Sequence, residues 1–198
     1  RMQIEETRKL TDKPFAMNVI MIPENLEHVT KIVTDMKPPV MYADTIAGLD
    51  IDLCKKYFDI WHSVGCKIVV KASFIDDARI AAEAGADVMI VKGWEGGGHV
   101  TFEATTVLVP QAVDLMKVPV VASGGIADGR GMAAAIAMGA DGIEMGTVFM
   151  AAEETLVHPA AKQAVIEAGD MSTVITGYCT DEPCRQVKNK LADEMIRI

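Results

Sequence analysis

The sequence predicts an α/β fold, a (β/α)₈ TIM barrel in which six of the eight βα units are present and the first two strands are absent. Three observations lead there. Short β-branched runs alternate with helical stretches along nearly the whole chain, the pattern of βα units around a parallel sheet. Three junctions, Gly65-Cys66-Lys67, Gly85-Ala86-Asp87 and Gly139-Ala140-Asp141, place a glycine just past a helix and just before an apolar strand. Glycine accepts the left-handed conformation of a helix C′ position without a Cβ penalty, so its recurrence marks a repeated unit. Finally, the glycine-rich segments follow strands, which is where a barrel keeps its chemistry. A whole barrel typically takes about 250 residues, and the 198 residues here hold six units. An open doubly wound sheet is the alternative that six strands also allow.

The elements follow in order. Phe15–Ile20 reads as a strand and Leu26–Asp35 as a helix; Val40–Ala43 is the next strand and Asp52–Val64 the next helix. Lys67–Lys71 leads into the helix Ile75–Ala84, and Val88–Lys92 follows at once. After a longer loop come the helix Val107–Met116, the strand Val118–Ala122, the small-residue helix Gly129–Met138 and the last strand, Gly142–Met145. Residues 1–150 are therefore expected to form strands three to eight of the barrel. Residues 151–198 are expected to form a helical cover carrying the helix Pro159–Gly169, with His158 as its cap or as a lid residue. The chain starts at an arginine and stops at Ile198, and both ends read as cuts.

Composition narrows the function classes. A formal net charge of −9 argues against a nucleic-acid partner, which needs a basic face. Apolar runs such as Val118–Ala122 are far shorter than a membrane span, and no basic segment followed by an apolar one opens the chain. Cys54, Cys66, Cys179 and Cys184 fit no zinc spacing and read as reduced thiols of a cytoplasmic protein, so no metal site is expected.

Three strand ends carry the candidate chemistry. Gly93-Trp94-Glu95-Gly96-Gly97-Gly98-His99 follows Val88–Lys92, Ser123-Gly124-Gly125 follows Val118–Ala122, and Gly146-Thr147 follows Gly142–Met145. Glycines at consecutive strand ends let backbone N–H groups approach an anion, and the loops after strands seven and eight are the recurrent phosphate site of this fold. Gly124, Gly125, Gly146 and Thr147 thus form a candidate phosphate cradle, against the plainer reading of two tight turns. The bare backbone of Gly96 to Gly98 suits close approach to a planar ligand. His99 stands at the mouth, where an imidazole exchanges protons near neutral pH, or it is a loop histidine bonded to a nearby carbonyl. Lys71 ends its strand and points into the same mouth, unless it snorkels at the rim. Asn18 lies inside an apolar strand, where its amide meets a ligand or ties down a neighbouring loop.

Together these residues resemble the nitronate monooxygenase family (formerly 2-nitropropane dioxygenase) and the closely similar FMN-dependent enoyl-acyl carrier protein reductase II. Residues 93–99 resemble the G-x-E-[AS]-G-G-H signature, with Gly96 in place of Ala or Ser. Pro119 to Gly131, Met145-Gly146-Thr147-Val148-Phe149 and Thr11 to Asn18 resemble further signatures, and the match runs from about Thr11 to the Arg185–Leu191 segment. The resemblance implies FMN as cofactor. Its phosphate would lie on the backbones of Gly124, Gly125, Gly146 and Thr147, and its ring would be bordered by Gly97 and Gly98 and touched by Lys71 and Asn18. His99 matches the catalytic histidine. A Gly-Gly-Met segment on the family's first strand has no counterpart here. Thr101 stands where a glycine is usual, and Asp44-Thr45-Ile46-Ala47-Gly48 departs from a glycine-rich loop.

The leading expectation is an enzyme that oxidises alkyl nitronates with dioxygen, with His99 as base or hydrogen-bond donor. The alternatives are an NAD(P)H-dependent enoyl-acyl carrier protein reductase, for which Arg185, Lys188 and Asn189 look like a shared segment, and an NADH:quinone reductase. A phosphate-binding isomerase barrel and a non-enzymatic binding barrel remain as readings from other classes. The partners expected are a small-molecule substrate, an acyl carrier protein in the reductase case, and a second copy of the chain.

Overall fold

The computed structural model describes residues 1–45 and 48–197. The chain opens with α1 (Met2–Leu10), β1 (Ala16–Ile20), α2 (Pro23–Met36), β2 (Val40–Asp44) and α3 (Ile51–Ser63). It continues with β3 (Lys67–Ala72), α4 (Ile75–Glu83), β4 (Val88–Lys92), β5 (Gly98–His99) and α5 (Thr105–Leu115). Then come β6 (Val120–Ser123), α6 (Gly129–Ala137), β7 (Gly142–Glu144) and α7 (Thr147–Met150). The last elements are α8 (Pro159–Ile166), β8 (Thr173–Thr176), β9 (Cys184–Val187) and α9 (Lys190–Met195).

Strand order separates the two candidate architectures. The main sheet runs β1-β2-β3-β4-β6-β7, and every pair in it is parallel. A doubly wound sheet reverses direction once, which buries its first strand in the middle. Here each strand adds to the same side, as in a barrel wall. The wall is curved. Tyr42 on β2 donates its phenolic hydrogen to Glu144 on β7, four strand spacings away. On a flat sheet that gap is about 19 Å, more than the two side chains span together. The fold is therefore an arc of six parallel strands of a (β/α)₈ barrel.

The three glycine junctions explain how each helix turns back into the wall. At Gly65, Gly85 and Gly139, φ is +92°, +104° and +96°. In each case the glycine N–H bonds the carbonyl three residues back and the next N–H bonds the carbonyl five back, as with Gly65 to His62 and Cys66 to Trp61. This is the Schellman arrangement. Asp87 and Asp141 complete two of these turns, because their carboxylates accept the N–H groups of Ile68 and Val120 in the neighbouring strand.

Strand alternation divides the side chains. The helix-facing side carries Met41, Ala43, Ile68, Val70, Met89, Val91, Val120 and Ala122, all buried against Leu26, Val33, Phe58, Trp61, Leu108 and Val109. Burial of each larger side chain contributes about 1.5–3 kcal/mol, which makes this face the core. In-register neighbours on the other face are Asn18, Tyr42 and Val69, then Asp44, Lys71, Ile90 and Val121, then Lys92, Ser123 and Glu144. That inner face is polar towards the strand ends.

Two features differ from the sequence expectation. β6 starts at Val120 rather than Val118, since Pro119 has no N–H for the ladder. Residues 151–198 are not a purely helical cover. They include the antiparallel pair β8–β9, and β9 pairs with β5. That small sheet joins residues about 90 apart, a pairing that no local pattern announces. Of the loop 44–48, Ile46 and Ala47 lie outside the described residues, as does the terminal Ile198.

Candidate active site

The segment between β4 and α5 is held from three sides. Gly93 donates to the Ser123 carbonyl at 3.0 Å. A Cβ at Gly93 would lie 2.3 Å from the backbone nitrogen of Thr105, so only glycine fits. α5 begins at Ala104 with no side-chain cap of its own. Glu95 supplies the cap, its carboxylate accepting the Thr105 N–H at 3.0 Å and the Thr105 hydroxyl at 2.8 Å. On the third side, Arg185 donates to the Trp94 carbonyl at 3.3 Å and lies 5.1 Å over the Trp94 ring. Gly98 and His99 then pair with Arg185 and Cys184 as β5. The backbone of His99 is thus held at the mouth, and its half-exposed imidazole has Nε2 3.9 Å from a Glu182 carboxylate oxygen.

His99 lines a cavity of about 260 Å³ together with Gly97, Gly98, Asp44, Lys71 and Lys92. Lys71 is ion-paired to Asp44 at 2.7 Å, with both side chains about four-fifths buried. Lys92 is buried, and its ammonium donates to the carbonyls of Gly97 at 2.9 Å and His99 at 2.5 Å. Burial lowers the Lys92 pKa, the Lys71 charge lowers it further, and Asp44 and Glu144 oppose both. Tyr42 is pushed well above the ordinary phenol range, first by burial and then by its bond to Glu144, so it stays a neutral donor. Ser123 donates to the other Glu144 oxygen at 2.5 Å.

The next two strand ends carry the four residues of the expected phosphate cradle. Gly124 and Gly125 have φ of +101° and +73°. The backbone N–H groups of Gly124, Gly125, Gly146 and Thr147 have no hydrogen-bond partner among the described residues. By contrast, the first N–H groups of α6 are taken by the Asp128 side chain, so the loop itself, not that helix end, offers the free donors. A Cβ at Gly97 would lie 3.7 Å from the Thr147 hydroxyl, which puts the histidine loop and the cradle side by side.

The structure brings His99, Lys71, Gly97 and Gly98 into one cavity and sets Gly124, Gly125, Gly146 and Thr147 along its neighbouring rim. Asn18 does not line that cavity. It is exposed on the inner face of the edge strand β1, in register with Tyr42. His158 caps α8 by accepting the Ala160 N–H at 3.2 Å. Asn189 caps α9, and Arg185 serves the Trp94 loop. Sequence reasoning missed Tyr42, Asp44, Lys92, Ser123 and Glu144. Their signal was available: each interrupts an apolar strand near its C-terminal end on the period-two face that also carries Lys71.

Fold and mouth together define part of a (β/α)₈ barrel whose polar residues gather at the strand ends. The chain matches the nitronate monooxygenase family over residues 1–197 and belongs to that family. A probable nitronate monooxygenase of Bacillus subtilis is 28% identical over 229 aligned positions, covering 97% of this chain and 66% of the relative. A Rhodococcus jostii protein named (3aS,4S,5R,7aS)-5-hydroxy-7a-methyl-1-oxo-octahydro-1H-indene-4-carboxyl-CoA dehydrogenase is 33% identical, covering 97% of this chain and 53% of that one. Among solved structures, a FabK variant from Thermotoga maritima superposes with a TM-score of 0.89 at 37% identity, over 98% of this chain and 62% of that one. The nitroalkane oxidase of Streptomyces ansochromogenes gives 0.82 at 25%, over 98% and 67%. The chain thus spans between half and two thirds of most of these relatives.

Proposed function

We propose that the chain, with residues 1–150 as barrel wall and 151–198 as cover, belongs to an FMN-dependent enzyme that oxidises alkyl nitronates with dioxygen in the cytoplasm. The observation that carries this reading is the placement of His99: on a glycine-bare strand end, facing a cavity floored by Lys71, beside a rim of unpartnered N–H groups. The residues fit the cofactor. Four free backbone donors suit a phosphate, and the places where Cβ atoms of Gly98 and Gly146 would stand are open. Gly124, Gly125, Gly146 and Thr147 would hold the phosphate, with Gly97 and Gly98 along the ring. Asn18 would touch the ring from β1. Bound flavin supplies two-electron redox chemistry.

The chain's own residues orient the substrate and manage charge and protons. Lys71, held by Asp44, is a fixed cation where negative charge develops. His99 donates a hydrogen bond to the nitronate oxygens, or acts as base where the neutral nitroalkane must first lose its α-proton to give the nitronate. The cover, through β9, holds the histidine strand in place.

A second reading is NAD(P)H-dependent reduction of an enoyl thioester, as in the enoyl-acyl carrier protein reductase II group that includes FabK. Two likenesses favour it: the 37% identity to FabK, and the Rhodococcus relative whose name denotes a coenzyme A thioester. There His99 would protonate or position the thioester enolate. An acyl carrier protein is acidic, so docking on a chain of net charge −9 would need a local basic patch. The reductase reading extends to an NADH:quinone reductase, and the proposed assembly is a homodimer.

The deciding experiment is an anaerobic visible spectrum of the full-length protein. Bleaching of a flavin band by a nitronate but not by NADH supports the first reading, and bleaching by NADH moves the reductases ahead. A colourless protein that gains no band with added FMN defeats both. Nitronate turnover unaffected by His99→Ala would remove the histidine from the chemistry.

A further inference from the structure

We propose that Lys92 is the positioning residue for His99, and that residue 96 is glycine because the lysine stem occupies the space a side chain would need. The inference rests on the reading of His99 as the proton-handling group. Lys92 is the last residue of β4, on the inner face, and is only 8% exposed. The loop that leaves β4 must fold back over that strand end to present His99 to the cavity. Lys92 holds it there, since its ammonium bonds the carbonyls on either side of Gly98 at 2.9 Å and 2.5 Å. An ammonium suits the task because it offers three donors at the end of a flexible stem and needs no fixed plane.

The second observation is independent of those bonds. A Cβ at Gly96 would stand 2.8 Å from Lys92 Cε and 3.0 Å from both Cδ and Cγ. Position 96 is where the resembled signature carries Ala or Ser, and this chain departs from it there. Lys92 and Gly96 are therefore a matched pair, in which the missing methyl is the channel through which the lysine reaches the loop. Lys71, Asp44 and Glu144 all lie close enough to influence the Lys92 charge.

The test is a double-mutant cycle in the full-length protein with Lys92→Ala, Gly96→Ala and the double variant. Lys92→Met serves as the variant that keeps the stem and removes only the ammonium. Lys92→Met is expected to lower kcat by about 10–100-fold with KM changed far less, as for a misplaced catalytic group. It is also expected to speed hydrogen exchange of the amides 97–100 by about tenfold, from the loss of charge-assisted hydrogen bonds. Gly96→Ala, which displaces the lysine without removing it, is expected to move both readouts in the same direction. Adding Gly96→Ala to Lys92→Ala should then cause no further loss. Unchanged kcat and exchange in Lys92→Met overturns the proposal, and so do Lys92→Ala and Gly96→Ala effects that multiply. The exchange measurement reads the loop whether or not the protein turns over a nitronate. A wild type without flavin or turnover therefore defeats the functional reading and leaves this test standing.

Discussion

Glu95 and Thr105 are joined twice, the carboxylate of one accepting both the backbone N–H and the hydroxyl of the other at 3.0 and 2.8 Å. The Gly124 carbonyl lies 3.0 Å from the same hydroxyl and competes with the carboxylate for its one hydrogen. One carboxylate thus ties the histidine loop to the start of α5, beside the first loop of the proposed phosphate cradle. Glu95→Ala removes a helix cap and a charge-assisted bond, and is expected to destabilise the protein by about 1–2 kcal/mol. Glu95→Gln, which retains one acceptor oxygen, should lose less. Denaturant unfolding measures both, and equal stability of wild type and Glu95→Ala would contradict the capping role.

Acid should loosen the wall at Asp87. Burial alone would raise its pKa, but hydrogen bonds from Lys67, His62 and the Ile68 N–H outweigh that and hold it down to about 2. The folded value lies below the ordinary 3.8, so the stabilisation is fully present above about pH 4 and is lost as pH falls towards 2. Asp87→Asn is expected to flatten the pH dependence of stability in that window and to change little in its slope above pH 5. A wild-type stability that stays flat from pH 5 to 2 would refute the assignment.

At Gly146 fold and ligand binding separate. Its φ is −108° and a Cβ there would meet nothing within 4 Å, so Gly146→Ala should fold with a change in stability under about 0.5 kcal/mol. The added methyl would point into the open rim where the phosphate is proposed to sit. FMN affinity should fall at least about tenfold, from an impaired charge-assisted hydrogen bond. Titration of the apoprotein with FMN measures it. Unaltered affinity would place the phosphate elsewhere.

Arg185 fastens the β8–β9 hairpin to the loop by planar contacts: two N–H donors on the Trp94 carbonyl and a guanidinium over the indole. Lysine lacks the plane, so Arg185→Lys should behave almost as Arg185→Ala. Both are expected to increase proteolysis within residues 177–187. Rescue by lysine would show that charge alone matters.

Much of the wall was legible because its signals are local. The Gly-x-Asp junctions mark helix ends by backbone conformation, and the short apolar runs mark the strands, with burial alternating in β2 and β3 and nearly continuous in β4. His99, Lys71 and the cradle glycines stood out because bare backbone and isolated polar groups at strand ends are unusual in an apolar chain. Asn18 stood out on the same ground and lies exposed on the inner face of β1. Lys92 shows the limit: it ends its strand, but beside the glycine signature it drew no notice.

The sequence by itself determined the βα repeat, the helix ends and the strand ends at which chemistry is possible, because each depends on a residue's own conformational range and its near neighbours. The tertiary structure alone decided which strand ends meet. The curl of the wall brings Tyr42 to Glu144, the small second sheet pairs β5 with β9, and the loop after β4 folds back so that Lys92 seats under His99. The first of these is set by the curvature of the whole sheet, and the other two by where the loop and the C-terminal hairpin come to rest, rather than by the preferences of either partner.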